Sequence, residues 1–167
     1  MTPDTDDWSA WLDAHGAALV LFARQWAPAT GDAEDIVQEA FVRFWPARRR
    51  ASDTTAYLFT CVRRAALDWL RGRRRRTARE LRVARPETAP EGWFLSGPEQ
   101  SERRAAIEAA LARLPDDQRA VLVLKTWGGL TFPQIAAALE IPANTAASRY
   151  RYALAKLREL LAEANVP

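Results

Sequence analysis

The sequence predicts an all-α protein made of two small helical domains joined by a flexible linker, the second domain containing a helix-turn-helix. Three observations support this fold class. Apolar residues recur at steps of three and four through most of the chain, as on the buried face of a helix. Proline and glycine separate the periodic segments. Hydrophobic residues make up 49% of the 167 residues, which is enough to build cores and excludes a largely disordered chain.

The first two predicted helices each carry one apolar stripe. The stripe of the first contains Trp8, Leu12, His15, Leu19, Phe22 and Trp26. His15 lies on this stripe, so we interpret it as a core or half-buried residue rather than as a ligand. The second helix is predicted to begin at Asp32, which can act as its N-cap, and to end at Pro46. Its buried face contains Ile36, Val37, Ala40, Phe41 and Phe44.

A third helix is predicted over 54–76, after a short basic loop in which Ser52 or Asp53 can cap it. Its buried face contains Leu58, Cys61, Val62, Ala65 and Trp69. The position of Cys61 on this face favours packing over a thiol switch.

Residues 77–98 interrupt the helical pattern. They contain three prolines, two glycines and no apolar periodicity, so we predict a linker in which Trp93 and Phe94 are candidate docking anchors. The predicted domains are therefore 6–76 and 99–163.

The second domain is predicted to contain four helices, near 99–113, 116–127, 132–139 and 143–162. Thr131 can cap the third of them, and a tight turn from Glu140 to Pro142 leads into the fourth. This is the helix-turn-helix pattern, although an ordinary helical hairpin has the same spacing. The apolar side of the last helix contains Ala146, Tyr150, Ala153 and Leu157, and the polar side contains Asn144, Ser148 and Arg151. Such polar side chains have the donors and acceptors that read base edges in the major groove.

Charge is distributed unevenly along the chain. Residues 1–40 carry one basic and eight acidic residues, whereas residues 41–85 carry fourteen basic and three acidic ones. The pattern indicates one surface for a protein partner and another for a polyanion, although solvated helix faces produce the same asymmetry.

The composition argues against an enzyme and against a metal or cofactor site. The chain has one Cys and one His, no glycine-rich phosphate loop and no evident pair of catalytic carboxylates. It has no apolar run of about 18 residues, and its first residues are acidic where a signal peptide is basic. The basic segment 63–76 lacks the wide apolar face of a membrane-surface helix. We therefore expect a cytoplasmic protein with no membrane contact, catalytic residue, metal or cofactor.

Three motifs resemble one protein family in their order and spacing. Bacterial extracytoplasmic-function (ECF) sigma factors bind core RNA polymerase through a helix that closely resembles residues 32–45, DAEDIVQEAFVRFW. Their promoter-melting helix resembles residues 56–71, AYLFTCVRRAALDWLR. Their C-terminal DNA-binding domain resembles the segments that begin LPDDQRAVL at Leu114, GLTFPQIA at Gly129 and NTAASR at Asn144. The resemblance covers nearly the whole chain apart from the linker and the tail.

The resemblance implies a non-enzymatic subunit that directs core RNA polymerase to promoters. The residues that match the polymerase-binding motif are Asp35, Gln38, Glu39 and Arg43. Their implied target is the coiled-coil clamp of the largest polymerase subunit, and charge complementarity suits an acidic helix to a basic partner. The helix dipole alone explains an acid at Asp35 but explains Gln38 and Glu39 less well. The flap of the second-largest subunit is the implied support of the C-terminal domain.

The third helix and the loop before it are implied to engage the −10 element. Melting a promoter requires a base to leave the stack, and aromatic and Arg side chains offer stacking surfaces for it. The candidates are Tyr57, Phe59, Arg63, Arg64 and Trp69, of which Phe59 and Trp69 are equally consistent with the core. The residues expected to contact phosphates are Arg71, Arg73, Arg74, Arg75 and Arg76.

The helix-turn-helix is implied to read the −35 element in double-stranded DNA. The family's base-facing positions are Ala147, Ser148, Arg151 and Tyr152. Asn144 and Thr145 complete the candidate DNA-binding set, together with Arg149 as a phosphate or structural contact.

Several positions depart from the family's usual residues. Arg64 stands in place of Asn, Ala147 in place of Lys or Arg, Tyr152 in place of Arg, and Glu140 in place of Gly. The loop before the third helix is also short. Because Arg64 replaces the usual Asn, it is left open how the flipped −10 base is recognised. The loss of two cations is expected to weaken −35 binding and to leave Arg151 as the main base reader.

The family is usually held inactive by an anti-sigma factor that wedges between the two domains, so we expect such a partner here. The linker is long enough to permit this rearrangement. The alternative is a stand-alone helix-turn-helix regulator that does not bind polymerase. That alternative explains residues 99–162 but leaves the motif from Asp35 to Arg43 without a role.

Overall fold

A computed structural model describes residues 7–79 and 101–164 of the chain. Within these ranges all regular structure is helical, and the chain divides between Glu91 and Gly92 into two compact units. The expected all-α class with two small helical domains is confirmed. Among the described residues, no helix is long and apolar enough to cross a membrane.

The first unit contains the helices α1 (Trp8–Ala23), α2 (Thr30–Ala47) and α3 (Thr54–Arg79), with a 3-10 turn (Arg48–Arg50) before α3. Asp7 caps α1, because its carboxylate accepts hydrogen bonds from the backbone N–H groups of Ser9 and Ala10. Asp53 precedes α3 in the same way and accepts from the N–H of Ala56 at 2.9 Å, as expected from the sequence.

Two helices extend beyond their predicted bounds. α2 begins at Thr30, so Asp32 lies in its first turn instead of capping it. It also continues one residue past Pro46, because a proline in the last turn removes only one backbone donor. α3 continues to Arg79, so residues 77–79 are helical instead of linker. Alanine and arginine favour helix, and nothing in this stretch breaks it.

The core of the first unit is aromatic. Its largest fully buried side chains include Trp11, Leu19, Phe22, Phe41, Phe44, Leu58 and Phe59. The predicted stripe on α1 is wrong at its ends, since Trp11 is buried while Trp8 and Leu12 are 39% and 37% exposed and Trp26 lies beyond the helix. Trp8 instead covers the rim of the core, with its ring 4.7 Å from that of Phe41.

The second unit contains α4 (Ser101–Arg113), α5 (Asp116–Thr126), α6 (Phe132–Leu139) and α7 (Ala143–Glu163), each within two residues of its predicted bounds. One cluster of its buried residues comprises Ala110, Leu111, Leu114, Leu122, Ala153 and Leu160. Thr131 and Gln134 form a reciprocal capping box at the start of α6. Glu140 ends α6 in the left-handed region, at φ 57° and ψ 46°, and so turns the chain into α7. The helix-turn-helix is present as predicted.

Candidate protein and nucleic-acid interfaces

One side of α2 is an exposed polar surface. Asp35, Gln38 and Glu39 are all exposed, while the apolar side of the same helix is buried against α1 and α3. The apolar spacing of the sequence produces this separation, because residues three and four apart fall on one helix face. The surface therefore presents carboxylates and an amide to a partner without disturbing the core.

Arg43, the fourth residue of the motif, contacts other residues of its own domain. Its Nε donates to the Glu39 carboxylate at 3.0 Å, and a terminal nitrogen donates to Asp68 on α3 at 2.7 Å. The hydrogen bond from Arg43 lowers the pKa of Asp68 below its ordinary value. Arg71 lies 3.6 Å from the same carboxylate. Arg43 thus joins the polar side of α2 to the basic part of α3, a link that spacing within one helix could not reveal.

An apolar groove of about 570 Å³ lies between α1 and α2, beside the polar side of α2. Val42 on its edge is 65% exposed, and Trp8 and Leu12 line it from α1. Gln38 belongs both to this groove and to the polar side, so the two features are continuous. The sequence analysis did not single out Val42. Its position on the outward side of α2 is a signal that could have found it, because an apolar residue there is exposed.

In the first half of α3, the structure contradicts one of the predicted DNA contacts. Phe59 was a candidate for DNA contact, but the structure buries it completely, with its ring 5.8 Å from that of Phe22. α3 contacts both α1 and α2, so it has two buried sides, and an apolar stripe alone does not reveal the second. Tyr57 and Arg63 are half-buried and Arg64 is exposed, so all three have solvent-accessible surface.

Cys61 is buried beside Tyr57 in the same part of α3. Burial raises the pKa of its thiol, because the thiolate would lose its hydration there. The burial of Cys61 agrees with the expected packing role.

The second half of α3 is a basic surface. The exposed arginines along it are Arg71, Arg73, Arg74, Arg75, Arg76 and Arg79. Trp69 is half-buried, and the guanidinium of Arg73 lies over its ring at 5.4 Å. Because these arginines lie on several sides of one helix, the surface suits a polyanion and carries little sequence information.

The helix-turn-helix holds α7 against α6. Ala146 and Ala153 are fully buried, and the ring of Tyr150 lies 5.7 Å from that of Phe132. Leu157 is partly buried against the core. The predicted inner side of the helix is therefore correct, and its other side faces outward.

The outward residues of α7 differ in what they contact. Asn144, Arg151 and Tyr152 are exposed, and Thr145, Ala147, Ser148 and Arg149 are half-buried. The Ser148 hydroxyl donates to the backbone oxygen of Thr145 at 3.0 Å. The Nε of Arg149 lies 3.1 Å from the Asp117 carboxylate on α5, an ion pair that sequence reasoning did not foresee.

Within the described ranges, no group of three or more metal-binding side chains lies together. The described residues thus form three exposed polar surfaces, one acidic on α2, one basic on α3, and one mixed on α7.

Comparison with known proteins matches both units to described families. The family described as "Sigma-70 region 2" matches residues 11–76, and the family described as "Sigma-70, region 4" matches residues 104–157. A similar relative is the RNA polymerase sigma-E factor of Streptomyces avermitilis, 34% identical over 149 residues, which span 86% of this chain and 79% of the relative. Another is the ECF RNA polymerase sigma factor SigL of Mycobacterium tuberculosis, 35% identical over 169 residues, which span 94% of this chain and 90% of the relative.

Two solved structures are also similar. One is the sigma factor RpoE in complex with the anti-sigma factor NepR from Bartonella quintana, with a TM-score of 0.69, 26% identity, and coverage of 92% of this chain and 94% of that one. The other is CnrH in complex with the cytosolic domain of CnrY, with a TM-score of 0.63, 26% identity, and coverage of 95% and 92%.

Proposed function

The chain belongs to the extracytoplasmic-function family of RNA polymerase sigma factors, and we propose how its two domains divide the work of such a factor. The protein binds core RNA polymerase and directs promoter-specific initiation of transcription. In our proposal the domain over 6–76, with its last helix continuing to Arg79, binds polymerase and the −10 region. The domain over 99–163 binds the −35 region, and the residues between them are the linker.

Polymerase binding is assigned to the polar side of α2. Asp35, Gln38 and Glu39 are exposed together on a helix whose opposite side is buried, and this is the observation that carries the proposal. The carboxylates of Asp35 and Glu39 and the amide of Gln38 suit a basic surface on the clamp coiled coil of the largest subunit. Arg43 contributes by orienting Glu39, and Val42 adds an apolar contact from the adjoining groove.

The −10 region is assigned to the accessible residues of α3. The side chains of Tyr57, Arg63 and Arg64 are solvent-accessible and of types that stack on or hydrogen-bond to an unpaired base, whereas the buried Phe59 is left out of the set. The arginines from Arg71 onward bind phosphates on either side of the melted segment.

The −35 region is assigned to the outward side of α7. The proposed contact set is Asn144, Thr145, Ala147, Ser148, Arg149, Arg151 and Tyr152. The N-terminal turns of the second helix of a helix-turn-helix enter the major groove, which is where these residues lie.

We also propose an anti-sigma factor as a regulatory partner, since the RpoE structure contains the anti-sigma factor NepR. A protein that works on polymerase and chromosomal promoters acts in the cytoplasm, and its role is to position the catalytic polymerase without catalysis of its own.

Reconstituted transcription tests the proposal. The purified protein is mixed with core RNA polymerase of its host, and run-off transcripts are collected from sheared genomic DNA. We expect discrete transcripts with the wild-type protein and none with the double variant Gln38→Ala/Glu39→Ala, because core binding is lost. Asp13→Ala, which removes an exposed acid on α1, is the matched control and is expected to transcribe normally.

Retention of transcription by the double variant would contradict the assignment of α2. DNA binding without any binding to core polymerase would instead identify a stand-alone helix-turn-helix regulator.

A further inference from the structure

The outward side of the recognition helix α7 presents fewer free polar groups than its sequence suggests. Ser148 uses its hydroxyl to donate to the backbone oxygen of Thr145 in the same helix. Arg149 is paired with Asp117 on α5 and is less than half exposed. Both side chains therefore have partners within the folded domain before any DNA arrives.

Asn144 and Arg151 are different. Both are exposed, and neither side chain makes a hydrogen bond or ion pair within the described part of the chain. The guanidinium of Arg151 lies 5.5 Å from the ring of its neighbour Tyr152. The amide and the guanidinium are thus ready to bind a ligand without first breaking a bond in the protein.

The side chains of Asn144 and Arg151 lie on the same face of α7. They are seven residues apart, which is a rotation of about 700° and leaves them within about 20° of each other around the helix axis. Along the axis they are separated by about 10 Å. Asn144 is the second residue of the helix, at the end that enters the major groove.

We propose that Asn144 and Arg151 are the two specificity-determining residues for the −35 element, Arg151 selecting a guanine and Asn144 an adenine. This rests on the proposed role of the helix-turn-helix. Arg forms two hydrogen bonds with the O6 and N7 of guanine, and Asn forms two with the N6 and N7 of adenine. The 10 Å separation places the two bases within about four base pairs of each other.

The neighbouring side chains support this division. Ala147 lies between the two readers and offers only a methyl group, which suits contact with a thymine methyl and carries no charge. Arg149 acts as a positioning residue that holds α7 to α5 through Asp117.

Base selection by the holoenzyme tests the inference. Run-off transcription first maps a promoter, and a library is then built with its −10 region fixed and its −35 region randomised. Holoenzyme-bound DNA is sequenced for the wild type, Arg151→Gln and Asn144→Ala. We expect the wild type to prefer one guanine and one adenine by about fivefold or more over other bases. Arg151→Gln should lose only the guanine preference and Asn144→Ala only the adenine preference.

One further variant serves as the control. Arg158→Gln removes another exposed arginine of α7, two turns beyond Arg151 and outside the proposed contact set, and should leave both preferences unchanged.

Unchanged base profiles in Arg151→Gln and Asn144→Ala, with transcription intact, would overturn this inference and leave the proposed function standing. Loss of either base preference in Arg158→Gln would also overturn it. The absence of any run-off transcript with wild-type protein would overturn both.

Discussion

At the scale of single residues, His15 is the most informative side chain outside the interfaces. It is half-buried on α1, with its ring 5.2 Å from that of Trp11 and 6.4 Å from that of Phe59. Its Nε2 has no hydrogen-bond partner among the described residues. Burial lowers the pKa of His15, because the charged ring would lose its hydration in this aromatic environment.

This environment predicts acid sensitivity of the first domain. A lowered pKa in the folded state means that neutral His15 is compatible with folding and that its protonation favours unfolding. The contribution of neutral His15 to the free energy of unfolding is complete above the pKa of about 6.5 that His15 has in the unfolded chain. It is lost as the pH falls through the lower pKa that His15 has in the folded domain. Thermal unfolding between pH 7.5 and pH 5 should therefore show a falling midpoint, and His15→Leu should lose part of that dependence. An identical pH dependence in both proteins would contradict the prediction.

Other single residues show why position matters more than residue type. Phe59 and Tyr57 are aromatic neighbours on α3, yet only Tyr57 is accessible. Arg149 and Arg151 are likewise two residues apart on α7, and only Arg149 is held by an acid of its own domain. Each pair differs because residues two apart on a helix face different neighbours.

At the scale of elements, α3 combines two kinds of surface in one helix. Its first half is packed between α1 and α2 and positions Tyr57 and Arg64, while its second half leaves the packed core and exposes arginines on several sides. Arg43 and Asp68 connect this helix to α2, so an ion pair at 2.7 Å joins the helix that we propose for polymerase binding to the helix that we propose for −10 binding. An exposed pair of this kind contributes no more than about 1 kcal/mol, so its role is orientation.

The basic half of α3 predicts a strong salt dependence of promoter binding. Each phosphate contact contributes about 0.9 to the slope of log affinity against log salt concentration. Arg73→Gln/Arg74→Gln should therefore reduce that slope by about 2 and weaken binding equally on different promoters. Titrations of holoenzyme on promoter DNA at several salt concentrations measure this slope. Arg103→Gln, which removes an exposed arginine of α4, is the control, and an equal change in the control would contradict the assignment.

At the scale of the whole molecule, the chain consists of two units with separate cores. The aromatic core around Phe22 and Phe44 belongs to the first unit, and the aliphatic cluster around Leu111 and Leu160 belongs to the second. Among the residues that the structure describes, three α-helices bury the first core and four bury the second. A hydrophobic core of its own is the property that lets a domain fold alone.

Separate cores predict that the two units fold alone. Fragments covering 6–79 and 99–164 should each give a helical circular dichroism spectrum and a cooperative thermal transition. Only the first fragment should retain the polar side of α2 and compete with the full chain for core polymerase. A fragment without a cooperative transition would contradict independent folding, and competition by the second fragment alone would contradict the division of roles.

The sequence was sufficient for the fold class, for the bounds of the four helices of the second unit to within two residues, and for the helix-turn-helix. These features depend on apolar spacing, caps and turns, which are properties of a short stretch of chain. The family resemblance rested on motifs of the same local kind, and the comparisons with known proteins confirmed it.

Only the tertiary structure decided which members of each motif are accessible. It buried Phe59, exposed Trp8 and Leu12, and paired Arg43 with Asp68 across 25 residues of sequence. It also paired Arg149 with Asp117 on another helix. Periodicity defines one face of one helix, whereas burial on a second side and the partner of a charged group depend on which helices pack together.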